Sequence, residues 1–181
     1  ILLIVDALRP DHLSLNGYPR NTSPNIDKIA SESIFFSNAI VTIHSTTPSI
    51  ASMLTGLYPH SHGARFIHRN KLDQKVTTLA EILQSHGYKT IGCNFELIGQ
   101  GLEKGFGDFS LLKWRIINKV KRTIKKFINW NYNAERAEES TYIAKRLLKK
   151  HRNKKFFLYL HYNDLHWPYK PPKPFDEVFD L

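Results

Sequence analysis

The chain begins with a continuous apolar run, Ile1 to Val5, that ends directly in an acid, Asp6. The run does not alternate apolar and polar residues, which is typical of a strand buried on both faces in a parallel sheet. Two later runs, Tyr88 to Cys93 and Phe156 to His161, are also predicted strands. An acid at the carboxyl end of such a strand lies where open α/β sheets bind ligands.

A helix is predicted inside the stretch from Val41 to Gly63. Thr47-Pro48 marks its start, because proline suits the first turn and the hydroxyl before it suits an N-cap. Gly56 ends it as a C-cap glycine, and the apolar face is formed by Ile50, Met53 and Leu54. Thr46 would then lie just outside the helix N-terminus, where an anion is favoured. A hydroxyl placed there can attack a phosphate or sulfate ester when a metal lowers its pKa, although a plain capped helix has the same pattern.

Three more helices are predicted from local signals. Ser23 suits an N-cap and Pro24 a first helical position, with a buried face made by Ile26, Ile29 and Ala30. Thr78 and Glu81 have the spacing of a capping box. A third pattern runs from Ala134 to Lys150, with lysines near its end that suit the helix dipole.

The charge of the chain favours an anionic partner. The 26 Lys and Arg residues outnumber the 16 acids and give a formal net charge of +10, which suits anionic substrates or acidic lipid headgroups. Nucleic acid is not expected, because no recognition motif accompanies the charge. Cys93 is the only cysteine, which excludes an internal disulfide. The chain starts at Ile1 without a methionine, so we expect a fragment of a longer protein whose location, cytoplasmic or membrane-associated, stays open.

Two motifs resemble the sulfatase family of the alkaline phosphatase superfamily. The family signature has Cys or Ser, any residue, Pro, Ser and Arg, then a helix that ends in Leu-Thr-Gly and Tyr-Pro. Its counterparts here are Thr46, Thr47, Pro48, Ser49, Ile50, Leu54-Thr55-Gly56 and Tyr58-Pro59. The second motif is the run from Phe156 to Tyr169, which ends in an Asp-x-His-x-Pro-Tyr pattern. The resemblance covers Asp6 to Pro172 and implies an α/β fold, with a mostly parallel central sheet sandwiched by helices, truncated relative to the family.

The resemblance also implies roles for single residues. Asp6 matches a metal-binding aspartate, whereas Ala7 stands where the family commonly has a second acid. Thr46 matches the nucleophile, which also contacts the metal. His166 matches a histidine that reaches the substrate anion and assists the leaving oxygen, with Asp164 as its orienting group or a support for the loop. The implied cofactor is a divalent metal ion, namely calcium, magnesium, manganese or zinc.

Two further residues and one insert are weaker candidates for a functional role. Asn94 follows a predicted strand and could bind the transferring group, although a turn residue is the simpler interpretation. Arg9 fits the loop of the family but equally fits a surface ion pair with Asp11. An insert at about 110–133 is rich in basic and apolar residues and could lie on an acidic membrane surface, or pack as a solvated helix on the domain. We expect residues 1–181 to be part of a single domain.

Three functions fit the sequence. The first is a metal-dependent hydrolase of sulfuric or phosphoric esters with Thr46 as nucleophile, since threonine cannot become the formylglycine of ordinary sulfatases. The second is a phosphoethanolamine-type headgroup transferase that uses the same threonine. The third is a catalytically inactive, sulfatase-like binding protein, suggested by Ala7 and by Ile50, which replaces the arginine of the signature.

Overall fold

The structure is a computed structural model, and it describes residues 1–66, 69–93, 99–109, 137–167 and 169–178. The basic insert predicted at about 110–133 lies outside the described residues. The chain divides into two compact units, Ala7–Val41 and a larger unit of Ile1–Asp6 with Thr42–Leu181. The expectation of a single domain stays a prediction.

Regular structure in the described residues consists of three strands and five α-helices. The strands are β1 (Leu2–Val5), β2 (Lys89–Cys93) and β3 (Phe156–Tyr162). The helices are α1 (Pro24–Ser31), α2 (Thr46–Thr55), α3 (Pro59–His62), α4 (Leu79–Ser85) and α5 (Ala137–His151). No described helix has both the length and the apolar character needed to cross a bilayer.

The three strands form one parallel sheet in the order β1-β3-β2. The central strand β3 is buried on both faces, because helices cover it from either side. On one face, Phe157 and Tyr159 pack with α2 and α4 in a core cluster. On the other face, Leu158 and Leu160 pack with α5. Burying each such side chain contributes roughly 1.5–3 kcal/mol, so these two layers hold the sheet. The predicted α/β sandwich is confirmed.

The expectation that β1 is buried on both faces is wrong. Leu2 and Ile4 pack against the α2 side of the sheet, but Leu3 is 53% exposed. The physical reason is position, because β1 is the edge of the described sheet and pairs only with β3 there. Successive side chains of a strand point to opposite faces, so one face of β1 can be covered while the other remains open.

Helix α2 differs in two details from its prediction. It begins at Thr46 with Ser45 as the capping residue, so Thr46 is the first helical residue and does not lie outside the helix. Ile50 and Leu54 are buried as expected, whereas Met53 is 46% exposed. The C-terminal end is confirmed, since Gly56 adopts a left-handed φ of 69° and its N–H bonds to the Ser52 carbonyl.

The smaller unit contains α1 and two short 3-10 turns. Pro24 is the first residue of α1, as predicted, and the side chain of Ser23 donates to the Asp27 carboxylate at 2.7 Å. The predicted buried face of α1 is wrong, because Ile26 is 41% and Ile29 is 67% exposed. Apolar spacing identifies the helix, but burial also requires a second surface to cover it.

Candidate active site

Asp6 and Thr46 form the centre of the candidate site in the larger unit. Asp6 continues the pairing of β1 with β3, since its N–H bonds to the Tyr162 carbonyl at 2.8 Å. The alternation that points Leu2 and Ile4 toward α2 therefore also points Asp6 to that face. The Thr46 hydroxyl donates to Oδ2 of Asp6 at 3.4 Å. The two residues are therefore in contact, while the roles that the resemblance implies for them stay predictions.

The start of α2 places backbone N–H groups that have no hydrogen-bond partner within the helix beside Thr46. The first i to i−4 bond of the helix runs from the Ser49 N–H to the Ser45 carbonyl at 3.1 Å. The N–H groups of the first turn therefore lack partners within the helix, and Pro48 has no N–H to offer. Together with the helix dipole, they create a positive partial charge next to the threonine hydroxyl.

Ala7 turns the chain immediately after Asp6. Its φ of 54° makes it the one described non-glycine residue with a positive φ. A left-handed backbone costs a non-glycine residue roughly 1–2 kcal/mol and often marks a functional site. The methyl side chain offers no metal ligand where the related family commonly has an acid. Among the described residues, the oxygen donors seen in contact at this turn are the Asp6 carboxylate and the Thr46 hydroxyl.

These two oxygen donors fit part of a divalent-metal shell. Carboxylate and hydroxyl oxygens suit hard cations such as calcium, magnesium and manganese. Among the described residues, however, no group of three or more His, Cys, Asp or Glu side chains is arranged to hold a metal ion. The described part of the chain thus fits the implied metal with an incomplete set of ligands.

His161 is a third member of the site, and the sequence analysis missed it. Its Nε2 lies 3.6 Å from Oδ2 of Asp6, its Nδ1 lies 3.2 Å from the Tyr159 hydroxyl, and its side chain is 1% exposed. Burial lowers the pKa of His161, and the nearby Asp6 charge opposes that shift only partly. Alternation along β3 places His161 on the same face as Tyr159, but its approach to Asp6 depends on the register between β1 and β3, which no local pattern supplies.

His166 lies in the turn that follows β3. Its backbone N–H bonds to the Asn163 carbonyl at 3.0 Å, and its ring Nδ1 lies 2.8 Å from the Trp167 carbonyl. Since a carbonyl can only accept, Nδ1 carries the proton in this contact. The His166 residue is exposed. The turn leaves the same carboxyl edge of the sheet at which Asp6 leaves β1.

Asp164 supports this loop. Its Oδ1 accepts a hydrogen bond from the N–H of Ala137, the first residue of α5, at 2.8 Å. A carboxylate at a helix N-terminus accepts a hydrogen bond from a free backbone N–H, and its negative charge interacts favourably with the helix dipole. Of the two roles considered for Asp164, the structure therefore favours loop support.

Two substrate-binding residues, Arg9 and Asn94, are predicted from the sequence. Arg9 belongs to the smaller unit, where its guanidinium binds the Asp11 carboxylate at 2.6 Å. That contact lowers the pKa of Asp11 to about 2, so the surface ion pair considered from the sequence is present. Asn94 lies outside the described residues.

A second buried histidine, His62, is hydrogen-bonded to the middle of α2. Its Nδ1 accepts from the Ala64 N–H at 3.2 Å, so its Nε2–H donates to the Ser52 hydroxyl at 3.1 Å. Thr42 donates to the same hydroxyl at 3.0 Å. Burial lowers the pKa of His62, which keeps the ring neutral. Both nitrogens are thus satisfied in the core, and His62 fixes the middle of the helix that carries Thr46.

Ile50 occupies the position of the signature arginine and cannot replace it. Its side chain is 1% exposed and packs in the core cluster shared by α2, α4 and β3. The side chain at this position therefore contributes to helix packing and provides no positive charge for an anion.

Comparison with known proteins shows what the chain resembles. The family model described as Sulfatase matches residues 1–180. The ulvan-active sulfatase of Formosa agariphila is 33% identical over 90 residues, an alignment that covers 50% of this chain and 17% of that protein. The chain thus spans only a small part of this curated relative.

Two solved structures share the fold. The phosphonate monoester hydrolase of Agrobacterium radiobacter superposes with a TM-score of 0.72 at 19% identity, covering 97% of this chain and 42% of that one. The C-terminal periplasmic domain of EcEptC from Escherichia coli, solved in complex with Zn, gives a TM-score of 0.68 at 16% identity. That superposition covers 99% of this chain and 48% of the EcEptC chain. At these identities the likeness establishes the fold.

Proposed function

Since the chain belongs to the sulfatase family over residues 1–180, we propose that it forms the nucleophile-bearing part of a metal-dependent hydrolase of sulfuric or phosphoric esters. Thr46 is the proposed nucleophile. The observation that carries the proposal is the 3.4 Å contact between the Thr46 hydroxyl at the start of α2 and the Asp6 carboxylate at the end of β1. A threonine hydroxyl is a weak nucleophile when free, so this placement beside a carboxylate is required for the chemistry.

The residues of the site supply three parts of the reaction. The N–H groups of the first turn of α2 bind the ester anion and orient it toward Thr46. Asp6 accepts the hydrogen bond of the hydroxyl, which turns an oxygen lone pair toward the sulfur or phosphorus atom. A bound divalent cation, held in part by Asp6 and Thr46, would lower the pKa of the hydroxyl and polarise the ester. Among the described residues, no group of three or more His, Cys, Asp or Glu side chains completes that shell.

The proposed reaction proceeds by group transfer to the threonine. A bond forms between Thr46 Oγ1 and the sulfur or phosphorus atom, the ester bond to the leaving oxygen breaks, and Asp6 takes the hydroxyl proton. A protonated His166 gives a proton to the leaving oxygen from Nε2, because Nδ1 already donates to the Trp167 carbonyl. His166, now neutral, then takes a proton from a water molecule that attacks the threonyl ester; the bond to Thr46 Oγ1 breaks, and Asp6 returns its proton to that oxygen. His166 lies in a solvent-exposed turn, where it can exchange protons with water.

Phosphoric or phosphonic esters are included in the substrate class for a chemical reason. A threonine alkoxide can attack a phosphoric or a phosphonic ester directly. The ordinary sulfatase reaction, in contrast, needs a formylglycine that threonine cannot form. The excess of basic residues, 26 against 16 acids, suits either anion. A choice between sulfate and phosphate therefore requires an assay.

A second candidate function is an inactive binding protein of the same family. Two observations favour it: Ala7 adds no carboxylate next to Asp6, and Ile50 is buried where the signature has an arginine. Such a protein would keep the positive helix start as an anion-binding surface without turning over the ester.

The experiment that separates these functions uses Thr46→Val, which removes the hydroxyl and keeps the shape, and Thr46→Ser, which keeps the hydroxyl. In the complete protein, Thr46→Val should abolish turnover of aryl sulfate, phosphodiester and phosphonate substrates, and Thr46→Ser should retain part of it. Mass spectrometry of the wild type should find the transferred group on the Thr46 peptide. Met53→Leu, on the exposed side of α2, is the matched control and should keep full activity.

The outcomes assign the function directly. Turnover that survives in Thr46→Val would exclude the nucleophile. A folded wild type that turns over none of the three ester classes would favour the inactive binding protein instead.

A further inference from the structure

Three buried histidines differ in how their ring nitrogens are satisfied. His62 has partners on both nitrogens within the core. His151 has no partner on either nitrogen among the described residues. His161 has the Tyr159 hydroxyl at Nδ1, but its buried Nε2 has no hydrogen-bond partner within ordinary distance in the described structure. Oδ2 of Asp6 lies 3.6 Å from that nitrogen.

The position of His161 follows from the sheet and does not depend on a flexible loop. His161 is paired in register with Ile4 on β1, and Asp6 follows two residues later on the same face. Tyr159, which is fully buried, contacts the opposite nitrogen and fixes the ring plane. The ring thus lies between a buried hydroxyl and the carboxylate of the candidate site.

The carboxylate atom involved is shared with the candidate nucleophile. Oδ2 of Asp6 accepts from the Thr46 hydroxyl at 3.4 Å, and the same atom is the one that Nε2 of His161 approaches. Two groups from different elements, β3 and α2, therefore converge on one oxygen. A buried imidazole nitrogen without a hydrogen-bond partner destabilises the folded state. A small movement of Asp6 toward Nε2 would supply that partner and is therefore favoured.

We propose that His161 is a positioning residue that donates a hydrogen bond from Nε2–H to Asp6 and thereby holds the carboxylate toward Thr46 and the metal. The Tyr159 hydroxyl donates to Nδ1 and selects the tautomer that carries the proton on Nε2. This inference rests on the proposed function, because it concerns the orientation of the same carboxylate. Groups that hydrogen-bond to a metal ligand commonly fix its orientation and alter metal affinity.

The first test examines the tautomer and needs no metal or substrate. Long-range proton–nitrogen NMR spectra of the 181-residue chain should show a proton on Nε2 of His161. Tyr159→Phe removes the hydroxyl that selects this tautomer and should populate the Nδ1–H form. A wild-type His161 with its proton on Nδ1 would overturn the proposal, because Asp6 could then receive no hydrogen bond from Nε2.

The second test measures affinity for Mn²⁺ in the complete protein. His161→Leu removes the donor, and we expect its dissociation constant for Mn²⁺ to rise by about ten- to a hundredfold, the usual effect of losing such a partner. His161→Gln, whose amide can reach Asp6, should recover most of the affinity. His151→Leu, another buried histidine replaced by the same residue, should bind Mn²⁺ like the wild type. An unchanged dissociation constant in His161→Leu would overturn the proposal.

These readouts separate this inference from the proposed function. Neither NMR nor Mn²⁺ binding requires turnover, so an inert wild type would leave both tests valid. Circular dichroism and thermal unfolding of each variant distinguish a lost fold from a lost hydrogen bond. A His161→Leu variant that fails to fold leaves the tautomer measurement on the wild type as the deciding result.

Discussion

The Thr46 hydroxyl lies 3.4 Å from Oδ2 of Asp6, although 40 residues separate the two in the sequence. One residue follows an edge strand and the other begins a helix that packs on the same face of the sheet. The contact therefore depends on the core between β1, β3 and α2. Variants that change this core should alter the site, whereas variants of the exposed side of α2 should not.

The first prediction concerns the metal. We expect residues 1–181 alone to bind divalent cations weakly, because the described residues contain no group of three metal-binding side chains and Ala7 adds none to Asp6. Calorimetric titration with calcium, magnesium, manganese and zinc should give dissociation constants in the millimolar range or no heat, and Asp6→Asn should remove what binding there is. Tight stoichiometric binding that persists in Asp6→Asn would place the metal elsewhere.

The second prediction uses two glycines with the same backbone conformation. Gly105 and Gly87 both have a φ of +80°, so alanine should cost each about 1–2 kcal/mol of stability for the left-handed backbone. A Cβ at Gly87 meets no atom within 4 Å, whereas one at Gly105 would lie 2.6 Å from the Ala80 carbonyl carbon at the start of α4.

Gly105→Ala should therefore lose about 1–3 kcal/mol more than Gly87→Ala, since the backbone of α4 must move away. The measurement is urea denaturation of the two variants and the wild type. Equal losses in the two variants would mean that the segment carrying Gly105 moves away without cost.

The third prediction tests the start of α4. The Thr78 hydroxyl accepts from the Glu81 N–H at 3.2 Å and donates to the Lys104 carbonyl at 3.0 Å, and the Glu81 side chain accepts from the Thr78 N–H at 2.9 Å. Thr78→Ala should cost about 2 kcal/mol, at the upper end for a lost cap, because the residue is fully buried. Thr77→Ala, at the exposed neighbouring position, should stay within about 0.5 kcal/mol of the wild type. Similar chemical denaturation midpoints for the two variants would exclude this role of the capping box.

Local signals in the sequence were sufficient to predict features whose interacting residues lie close together in the chain. The capping box of Thr78 and Glu81 is present, Gly56 ends α2, and Asp6 follows β1 as expected. Each of these depends on residues close in sequence or on the fixed geometry of a strand. The parallel sheet was also predictable, because the apolar run from Ile1 to Val5 does not alternate, which is typical of a strand in a parallel sheet.

Burial was less predictable, because it depends on surfaces that lie far away in the sequence. Leu3 and Ile29 have the apolar character of core residues, yet both are exposed in the structure. His161 shows the opposite error. It follows an apolar run and was treated as the end of a strand, but its contact with Asp6 requires the register between β1 and β3. No local pattern in the sequence supplies that register.

The last prediction concerns the pH dependence of stability. His151, at the end of α5, is 4% exposed, and burial lowers its pKa. The positive charges of Lys150, Lys154 and Lys89 lower it further, and Asp108 opposes them.

In the unfolded chain the pKa of a histidine is about 6.5, so below that pH the unfolded state binds a proton that the folded state excludes. The free energy of unfolding should therefore fall as the pH drops below about 6.5, until the lowered folded-state pKa is reached. His151→Leu removes this contribution and should be at least as stable as the wild type near neutral pH, because the imidazole it replaces is buried without a partner among the described residues.

Urea unfolding of the wild type and of His151→Leu across this pH range measures the effect. The advantage of the leucine variant should grow as the pH falls. His62 and His161, which are also buried and have lowered pKa values, remain in both proteins and cancel in the difference. Parallel stability curves for the two proteins would show that His151 takes up its proton equally well in the folded state, which requires that water reach its ring in solution.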